Sequence, residues 1–537
     1  MLTTAHIDTF AHLHLPPLEQ QPEFLFDLPQ LQLPDYFNCA TELLDKHIEQ
    51  GNGTRICIRA AGMTWTYSDL QVNANKIANV LVEQLGLVAG NRVLLRAPNN
   101  PMMVACWFAV IKAGAIAVAT MPLLRAKELQ AIIAIGQISH ALVDANLAQE
   151  INLLDAENNT LKHILFFNSE QENSLDSAMA KASSQFNNVP TAATDTCLLG
   201  FTSGTTGVPK ATMHFHRDLI AACKCWPESV LKATADDIFI GSPPLAFTFG
   251  LGGLVLFPMS IGASSVLLEK ASPAQLIEGI KEYKASVLFT APTSYRAIAL
   301  QEHGLKGSSL RKCVSAGEAL PSSTRQLWKE GTGIELIDGI GATEMLHIFI
   351  SHTEDNVKPG ATGKVVKGYQ AKVVDANGQE LAPGTVGFLA VKGPTGCRYL
   401  ADERQKKYVQ NGWNITGDTY LMDTDGYFFY QARTDDMIIS AGYNIAAPEV
   451  EDALMQNEAV AECAVIGIAN QERGQIVKAF VVLKPGFIGS PELTQALQDF
   501  VKNTVAPYKY PRAIEFVEQL PRTATGKLQR FKLKENS

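Results

Sequence analysis

The sequence has little of what a nucleic-acid-binding protein needs. Acidic residues outnumber basic ones, 54 Asp and Glu against 45 Lys and Arg, and the formal net charge is -9 at pH 7. Proteins held on nucleic acid by phosphate contacts usually carry the opposite excess. The negative balance therefore argues against a nucleic-acid partner, although a local positive loop can still bind a small anion.

The nine cysteines are few and scattered, and they lack the spacing of a metal site or a disulfide framework. Cys223 and Cys225 stand two apart, but no second pair lies nearby. Such a set is typical of reduced thiols in a cytosol. The first thirty residues contain no basic segment followed by an apolar core, so we expect no signal peptide and a cytoplasmic location.

Long uninterrupted hydrophobic runs are also missing. The two most apolar stretches, 102–122 and 251–269, are broken by Lys112 and glycines in the first and by Pro258 and Gly262 in the second. Each is better explained as a helix, a tight turn and a buried strand than as a membrane span. We therefore expect no insertion into a membrane.

The order of the elements predicts an α/β protein with more than one domain. Short apolar strands alternate with helical segments from about residue 55, which is typical of parallel sheets covered by helices. One of these helices is expected to follow a hairpin, with Ser68 as N-cap and Gln71 completing a capping box. A chain of 537 residues is too long for a single small core.

The pattern changes twice in the second half of the chain. From residue 363, period-two alternation with an Asn-Gly and a Pro-Gly turn predicts a small antiparallel subdomain over 363–434. After it, a helix, two strands and another helix predict a separate α+β unit. We expect a large domain over 1–434 and a small domain over 435–537.

The stretch TSGTTGVPK (202–210) combines hydroxyls, glycines and a lysine. It does not have the spacing of the common phosphate-loop fingerprint. Glycines nevertheless let backbone N–H groups approach an oxyanion, hydroxyls add donors and a lysine adds charge. Because a strand-like segment precedes it, the loop is expected at the carboxyl end of a strand, where α/β proteins bind ligands.

Six ordered motifs together resemble the adenylate-forming superfamily, whose members include acyl- and aryl-CoA ligases, peptide-synthetase adenylation domains and firefly luciferase. The motifs are TSGTTGVPK (202–210), GIGATEM (339–345), TGD (416–418), RTDD (433–436), SAGYNIAAPEVE (440–451) and PRTATGKLQR (521–530). The resemblance implies that ATP and a carboxylate form an acyl-adenylate, with release of pyrophosphate. A thiol, usually that of coenzyme A, then displaces AMP.

The resemblance also assigns the nucleotide contacts. Lys527 would reach the adenylation site from the small domain, Glu344 would hold Mg²⁺ and Thr343 would bond the α-phosphate. Asp418 and Arg433 would hold the ribose, and Asp338 would accept the adenine amino group. The remaining ATP contacts implied are Thr202, Ser203, Gly204, Thr205, Thr206, Gly207, Lys210, Ala316, Gly317, Glu318, Gly339 and Ile340. Ile340 departs from the family, many members of which carry a stacking aromatic there.

The small domain is expected to move between the two half-reactions. Asp435 falls at the family's hinge position, and a hinge needs a residue that can absorb large backbone changes. Ser440, Gly442 and Tyr443 would meet coenzyme A, with Gly442 leaving room for the pantetheine arm.

Within the superfamily, the segments 243–258 and 339–351 resemble benzoate-CoA ligases, especially 2-aminobenzoate-CoA ligases. The resemblance implies an acyl pocket lined by Thr248, Phe249, Ala316, Gly341, His347 and Ile348. A flat, apolar slot suits an aromatic ring. Phe249 and Ile348 could equally be core residues. His347 could steer the carboxylate, bond an ortho substituent, or be a buried histidine satisfied by backbone.

Other interpretations stay open at this point. The chain could load an aryl acid onto a carrier protein, activate fatty acids, oxidise a substrate as luciferase does, or only sense nucleotides. His214 and His216 could suggest a metal, but two histidines without a third ligand are more often structural. A homodimer is common in the family and is expected here only from the resemblance.

Overall fold

A computed structural model of the protein describes residues 2–155, 160–203, 209–301, 305–433, 436–440, 443–470, 473–505, 507–522 and 528–535. Its strands are β1 (Ile56–Ala60), β2 (Met63–Thr66), β3 (Arg92–Arg96), β4 (Ile116–Thr120), β5 (His140–Asp144), β6 (His163–Phe167), β7 (Thr196–Ser203), β8 (Pro209–Phe215), β9 (Ile238–Gly241), β10 (Ser264–Val266), β11 (Val287–Thr290), β12 (Lys312–Ser315), β13 (Leu336–Gly341), β14 (Ile348–Ser351), β15 (Lys364–Val365), β16 (Gln370–Val374), β17 (Val386–Lys392), β18 (Val409–Gln410), β19 (Trp413–Met422), β20 (Phe428–Arg433), β21 (Ile438–Ser440), β22 (Tyr443–Ile445), β23 (Val460–Asn470), β24 (Gly474–Leu483) and β25 (Ala513–Phe516).

The helices are α1 (Phe10–Leu13), α2 (Lys46–Glu49), α3 (Tyr67–Asn79), α4 (Pro101–Lys112), α5 (Ala126–Gly136), α6 (Ala148–Asn152), α7 (Leu175–Lys181), α8 (His216–Trp226), α9 (Thr248–Leu251), α10 (Phe257–Ser260), α11 (Pro273–Tyr283), α12 (Pro292–Ala299), α13 (Ser322–Thr332), α14 (Gln405–Tyr408), α15 (Ala447–Met455), α16 (Pro491–Thr504) and α17 (Arg530–Glu535). A π-helical segment, Gly252–Leu256, joins α9 to α10.

Two largely parallel sheets carry the large part of the molecule. One has the strand order β6-β5-β3-β4-β7-β8, with β8 antiparallel to β7. The other has the order β15-β14-β13-β12-β11-β9-β10-β1-β2, parallel from β13 to β1. The predicted α/β alternation is confirmed, and carboxyl ends of parallel strands are available to hold a ligand.

Both apolar stretches that resemble membrane spans lie inside the core. The first consists of α4, in which every residue is buried, followed by β4. Lys112, at the end of α4, is buried because its ammonium pairs with the Asp45 carboxylate at 2.6 Å. Among the described residues, no helix is both long enough and apolar enough to cross a lipid bilayer.

The antiparallel and α+β parts also form as predicted. The third sheet has the order β16-β17-β19-β18, with β20 on β19. The last sheet, β22-β21-β24-β23 with β25 on β24, packs against α15 and α16. The core of this last unit is a separate cluster that includes Val450, Val477 and Leu497.

The predicted cap of α3 is wrong by two residues. Thr66, rather than Ser68, precedes the helix and accepts a hydrogen bond from the Asp69 N–H, and the Asp69 carboxylate accepts one from the Thr66 N–H. Thr66 ends β2, so its extended backbone already has the geometry that an N-cap requires.

Candidate active site

The hydroxyl- and glycine-rich loop begins at the carboxyl end of β7, as its sequence predicts. Thr202 and Ser203 end this strand and pair with Lys210 and Pro209 of β8. Four of the predicted phosphate contacts, Gly204, Thr205, Thr206 and Gly207, lie outside the described residues. The described ends place the Lys210 side chain beside Glu344.

Glu344, Lys210 and Tyr399 form a compact charged cluster. The Lys210 Nζ lies 2.8 Å from the Glu344 Oε1, and the Tyr399 hydroxyl donates to the same oxygen at 2.5 Å. Burial alone would raise the pKa of the Glu344 carboxyl, but Lys210 and Tyr399 outweigh it and hold that pKa below its usual range. Glu344 is therefore a buried carboxylate, ionised at neutral pH.

A strained turn follows the segment that carries this carboxylate. Leu346 has φ of +67° and ψ of -48°, and the His347 N–H donates across it to the Met345 carbonyl at 2.9 Å. This is a γ-turn with positive φ, a geometry that costs energy in any residue with a side chain. It follows the short helical turn Thr343–Met345 and leads into His347, which is buried.

Two contacts fix the position of Thr343. His214, a predicted structural histidine, contacts the Thr343 carbonyl oxygen through its Nε2 at 2.7 Å. Gly200 in β7 leaves room for the Thr343 side chain, since a Cβ on that glycine would lie 2.8 Å from the Thr343 Cγ2. The threonine is thus held against the strand that leads to the phosphate loop.

Asp418 and Arg433, the predicted ribose pair, are cross-strand partners on β19 and β20. The Arg433 Nη1 donates to the Asp418 Oδ1 at 3.1 Å. Burial raises the pKa of the Asp418 carboxyl, and the guanidinium acts against that shift. The pair offers a carboxylate acceptor beside a fixed positive charge.

Asp338 and the segment 316–318 come from neighbouring parallel strands. Asp338 pairs in register with Ser315, so Ala316, Gly317 and Glu318 continue from the strand beside it. Burial raises the pKa of Asp338 to about 6. Its Oδ1 is buried without a hydrogen-bond partner among the described residues. An oxygen without a partner can accept a hydrogen bond from the amino group of adenine.

Gly339, Ile340 and Gly341 follow Asp338 and lie between it and the predicted acyl residues His347 and Ile348. A Cβ on Gly339 would lie 2.8 Å from the Ile348 Cγ2, and one on Gly341 would lie 2.8 Å from the His347 carbonyl oxygen. Close packing here therefore requires both glycines. Ile340 is half-buried, so an aliphatic surface stands where many family members have an aromatic ring.

Aromatic rings surround His347. Its ring centroid lies 4.4 Å from that of Phe257 and 5.7 Å from those of Phe249 and Trp226. Phe289 completes this aromatic wall, 5.7 Å from Phe249. Thr248 and Phe249 begin α9 and are half-buried, whereas Ile348 is buried at the start of β14.

His347 is neutral in this wall. Neither ring nitrogen has a hydrogen-bond partner of acceptable geometry among the described residues. Burial lowers its pKa to about 3, and the backbone of Phe249, as a hydrogen-bond acceptor beside the ring, acts against that shift. The alternative of a histidine satisfied by backbone stays a prediction, with Phe249 as the backbone partner.

The C-terminal residues are placed only in part. Lys527, Asp435 and Gly442 lie outside the described residues. Arg522 and Leu528, on either side of the stretch with the lysine, pair through an isolated β-bridge, and the Arg522 Nη1 lies 3.7 Å from the Glu318 Oε1.

The described part of the predicted coenzyme A face lies at the end of β21. Ser440 is buried there, 3.5 Å from the Arg473 Nε, and Tyr443 begins β22.

Sequence reasoning missed several residues of the site. Tyr399 lies in the connection between β17 and β18. Trp226 ends α8, Phe257 begins α10 and Phe289 lies within β11, three elements far apart in the sequence. Their aromatic character is the only signal in the sequence, and it does not distinguish a pocket wall from a core.

Comparison with known proteins agrees with this arrangement. The model of the AMP-binding enzyme family matches residues 44–399, and that of the AMP-binding enzyme C-terminal domain matches residues 449–527. The chain belongs to the AMP-binding enzyme family, the superfamily whose motifs it carries.

Within this family, the chain is an acid-thiol ligase, similar both to benzoate-CoA ligases and to acyl-coenzyme A synthetases. It is 35% identical over 513 residues to the benzoate-CoA ligase of Thauera aromatica, covering 94% of this chain and 97% of the relative. It is 31% identical to the human mitochondrial acyl-coenzyme A synthetase ACSM3, covering 94% and 90%.

Two solved structures are similar in fold over nearly the whole chain. The anthranilate CoA ligase AuaEII in complex with anthranoyl-AMP has a TM-score of 0.90 at 34% identity, covering 95% of this chain and 99% of that one. A benzoate CoA ligase from Burkholderia xenovorans LB400 has a TM-score of 0.85 at 29% identity, covering 93% and 100%.

Proposed function

We propose that the protein activates an aromatic carboxylate of the benzoate type, with 2-aminobenzoate or another ortho-substituted benzoate as the best candidate. ATP and the acid form an acyl-adenylate with release of pyrophosphate, and coenzyme A then forms the thioester with release of AMP. The observation that carries the proposal is a neutral His347 inside a wall of aromatic rings, with neither ring nitrogen paired by a described side chain.

The wall supports a planar substrate. Aromatic rings pack well edge to face or offset against other rings, and Phe249, Phe257 and Phe289 offer several such surfaces. A neutral imidazole cannot form an ion pair with the carboxylate. It can accept a hydrogen bond from an ortho amino group, or donate one to an ortho hydroxyl oxygen, and either bond would satisfy an otherwise unpaired buried nitrogen.

The nucleotide side supports adenylate formation. In the first half-reaction the substrate carboxylate attacks the α-phosphorus and the bond to pyrophosphate breaks. Lys210, Thr343 and Lys527 would stabilise charge on the phosphates, while Asp418 with Arg433 would hold the ribose. Fixed donors aimed at developing charge are usually the largest single contribution to such a step.

The family resemblance implies a magnesium ion, and the residues present fit one. Glu344 offers oxygen ligands, is ionised and is buried next to the start of the phosphate loop. When bound, the ion would neutralise charge on the ATP phosphates.

The small domain is proposed to serve both half-reactions. We infer a boundary between residues 434 and 435, with Asp435 as hinge and Ser440, Gly442 and Tyr443 facing coenzyme A. A homodimer and a cytoplasmic location stay predictions.

The test is ATP–pyrophosphate exchange with benzoate, 2-aminobenzoate, 2-hydroxybenzoate, 4-aminobenzoate and octanoate, followed by assay of CoA thioester without any carrier protein. We expect the ortho-substituted benzoates to be preferred. His347→Leu should reduce their advantage over benzoate by about tenfold, the value of one hydrogen bond to a substrate. Benzoate itself should remain a substrate of this variant.

Three results would count against the proposal. Exchange with octanoate alone would indicate a fatty acyl-CoA synthetase. Exchange without CoA thioester would indicate loading of a carrier protein. An unchanged preference in His347→Leu would remove the histidine from recognition of the ortho substituent.

A further inference from the structure

We propose that Tyr399 is a positioning residue for the metal–nucleotide complex, because its hydroxyl fixes the Glu344 carboxylate in the orientation that receives the cation. The inference builds on the proposed adenylate-forming function, but it does not depend on which acid is activated. Tyr399 lies outside the six family motifs.

The contact itself is direct. The Tyr399 hydroxyl donates to the Glu344 Oε1 at 2.5 Å and also contacts the Lys210 ammonium. That ammonium lies over the Tyr399 ring, 4.5 Å from its centroid, and 2.8 Å from the same carboxylate oxygen. Both donors therefore converge on Oε1, and none of the described side chains donates to Oε2.

Two donors on one oxygen fix the plane of the carboxylate. A freely rotating carboxylate would have to be ordered when the cation binds, and that ordering costs free energy. Because two donors hold the Glu344 Oε1 in place, the orientation of Oε2 is fixed as well. Groups that orient a metal ligand in this way typically contribute about 10–100-fold to metal affinity.

Tyr399 is held firmly enough to act as such a support. Its backbone pairs with Thr212, two residues beyond Lys210 on β8, through an isolated antiparallel bridge. Its N–H donates to the Gln405 Oε1 at 2.8 Å, and the Gln405 amide is itself bonded to the Cys397 carbonyl. The residue is only 1% exposed.

The test compares Tyr399→Phe with Tyr408→Phe. Tyr408 is a matched control, because its ring lies 5.7 Å from that of Tyr399 and its buried hydroxyl has no hydrogen-bond partner among the described residues. Each substitution removes one hydroxyl and keeps the ring. The measurements are the dissociation constant of Mn²⁺·ATP by electron paramagnetic resonance, that of ATP in EDTA, and the melting temperature without nucleotide.

We expect Tyr399→Phe to weaken Mn²⁺·ATP binding by about 10–100-fold. It should leave metal-free ATP binding within about twofold, because packing of the ring is retained. The melting temperature should fall modestly, because the buried Glu344 carboxylate loses one of its donors. Tyr408→Phe should bind Mn²⁺·ATP as the wild type does.

The inference fails if Tyr399→Phe binds Mn²⁺·ATP like the wild type. It also fails if Tyr408→Phe loses as much affinity, or if metal-free ATP binding falls equally, because the cause would then be general packing. No acid is present in these measurements, so an incorrect aryl assignment leaves them unaffected. A wild-type protein that binds no Mn²⁺·ATP would instead overturn the proposed function.

Discussion

At the scale of single residues, the site contains polar atoms that burial leaves without partners in the described part of the chain. The Oδ1 of Asp338 and both ring nitrogens of His347 are in this state. An unsatisfied buried polar group costs about 1–3 kcal/mol. We infer that bound substrates supply the missing partners, adenine for Asp338 and the acid for His347.

The low pKa of His347 predicts how stability depends on pH. The unfolded chain takes up a proton at this residue below about pH 6.5, whereas the folded protein does so only near its pKa of about 3. The folded state therefore loses stability as pH falls through 6.5, and the loss continues down to about 3. At pH 5 this one group should cost about 2 kcal/mol.

The measurement is urea unfolding of the wild type and His347→Leu at pH 7.5 and pH 5.0. The decrease in the free energy of unfolding between these values should be smaller in the variant by about 2 kcal/mol. Other buried histidines such as His352 are present in both proteins and cancel. The same decrease in both proteins would mean that His347 is protonated in the folded state.

At the scale of elements, small residues let neighbouring elements approach closely. A Cβ on Gly252, in the π-helical segment between α9 and α10, would lie 2.3 Å from the His347 Cδ2. The γ-turn centred on Leu346 sets the direction of the backbone that carries this imidazole. The packing of rings around His347 therefore depends on two local geometries that ordinary helix or strand preferences would not produce.

Gly252→Ala should displace the His347 ring and reduce kcat/KM for the aromatic acid by at least about tenfold, since a shift near 1 Å in a positioning group can cost about a hundredfold. ATP binding should be retained. The control is Gly331→Ala in α13, where a Cβ meets no described atom within 4 Å. That change should stabilise the protein by about 0.4–1 kcal/mol and leave activity intact. Equal activity in both variants would contradict the packing argument.

At the scale of the whole molecule, distant parts of the chain meet at the nucleotide site. Lys210, Glu344 and Tyr399 belong to different segments and converge within hydrogen-bond distance. The small C-terminal unit also contacts the large one, because Arg522 approaches Glu318 and the Ser322 hydroxyl donates to Asp452 at 2.8 Å. The first of these contacts places Arg522 beside Glu318, a predicted nucleotide contact.

Two substitutions in the small unit should separate the half-reactions. Lys527→Ala should lower adenylate formation at least about a hundredfold, the usual effect of removing a donor to developing charge. It should still form thioester from a preformed acyl-adenylate. Gly442→Trp should do the opposite, because its side chain would obstruct the thiol arm. The exposed Lys532 provides the control, since Lys532→Ala should change neither step.

Pyrophosphate exchange measures the first half-reaction, and CoA thioester formation from synthetic adenylate measures the second. Loss of both steps in Lys527→Ala would refute a role confined to adenylation. Unimpaired thioester formation in Gly442→Trp would remove that residue from the thiol path.

The sequence by itself determined the fold class and the start of the hydroxyl- and glycine-rich loop at the end of β7. Alternating apolar strands and helices can bury their surfaces only as layered sheets, and Asn-Gly and Pro-Gly turns permit the antiparallel subdomain. These are local signals, carried by neighbouring residues. The same local signals placed the cap of α3 two residues late, because Thr66 and Ser68 both have hydroxyls and only the end of β2 distinguishes them.

Only the tertiary structure decided which side chains complete the site. Tyr399 meets Glu344 across 55 residues, and Phe257 and Trp226 meet His347 from separate helices. Such contacts depend on how sheets and helices pack, which no spacing in the sequence encodes. The protonation of His347 was decided in the same way, because it follows from complete burial among rings and not from the residue type.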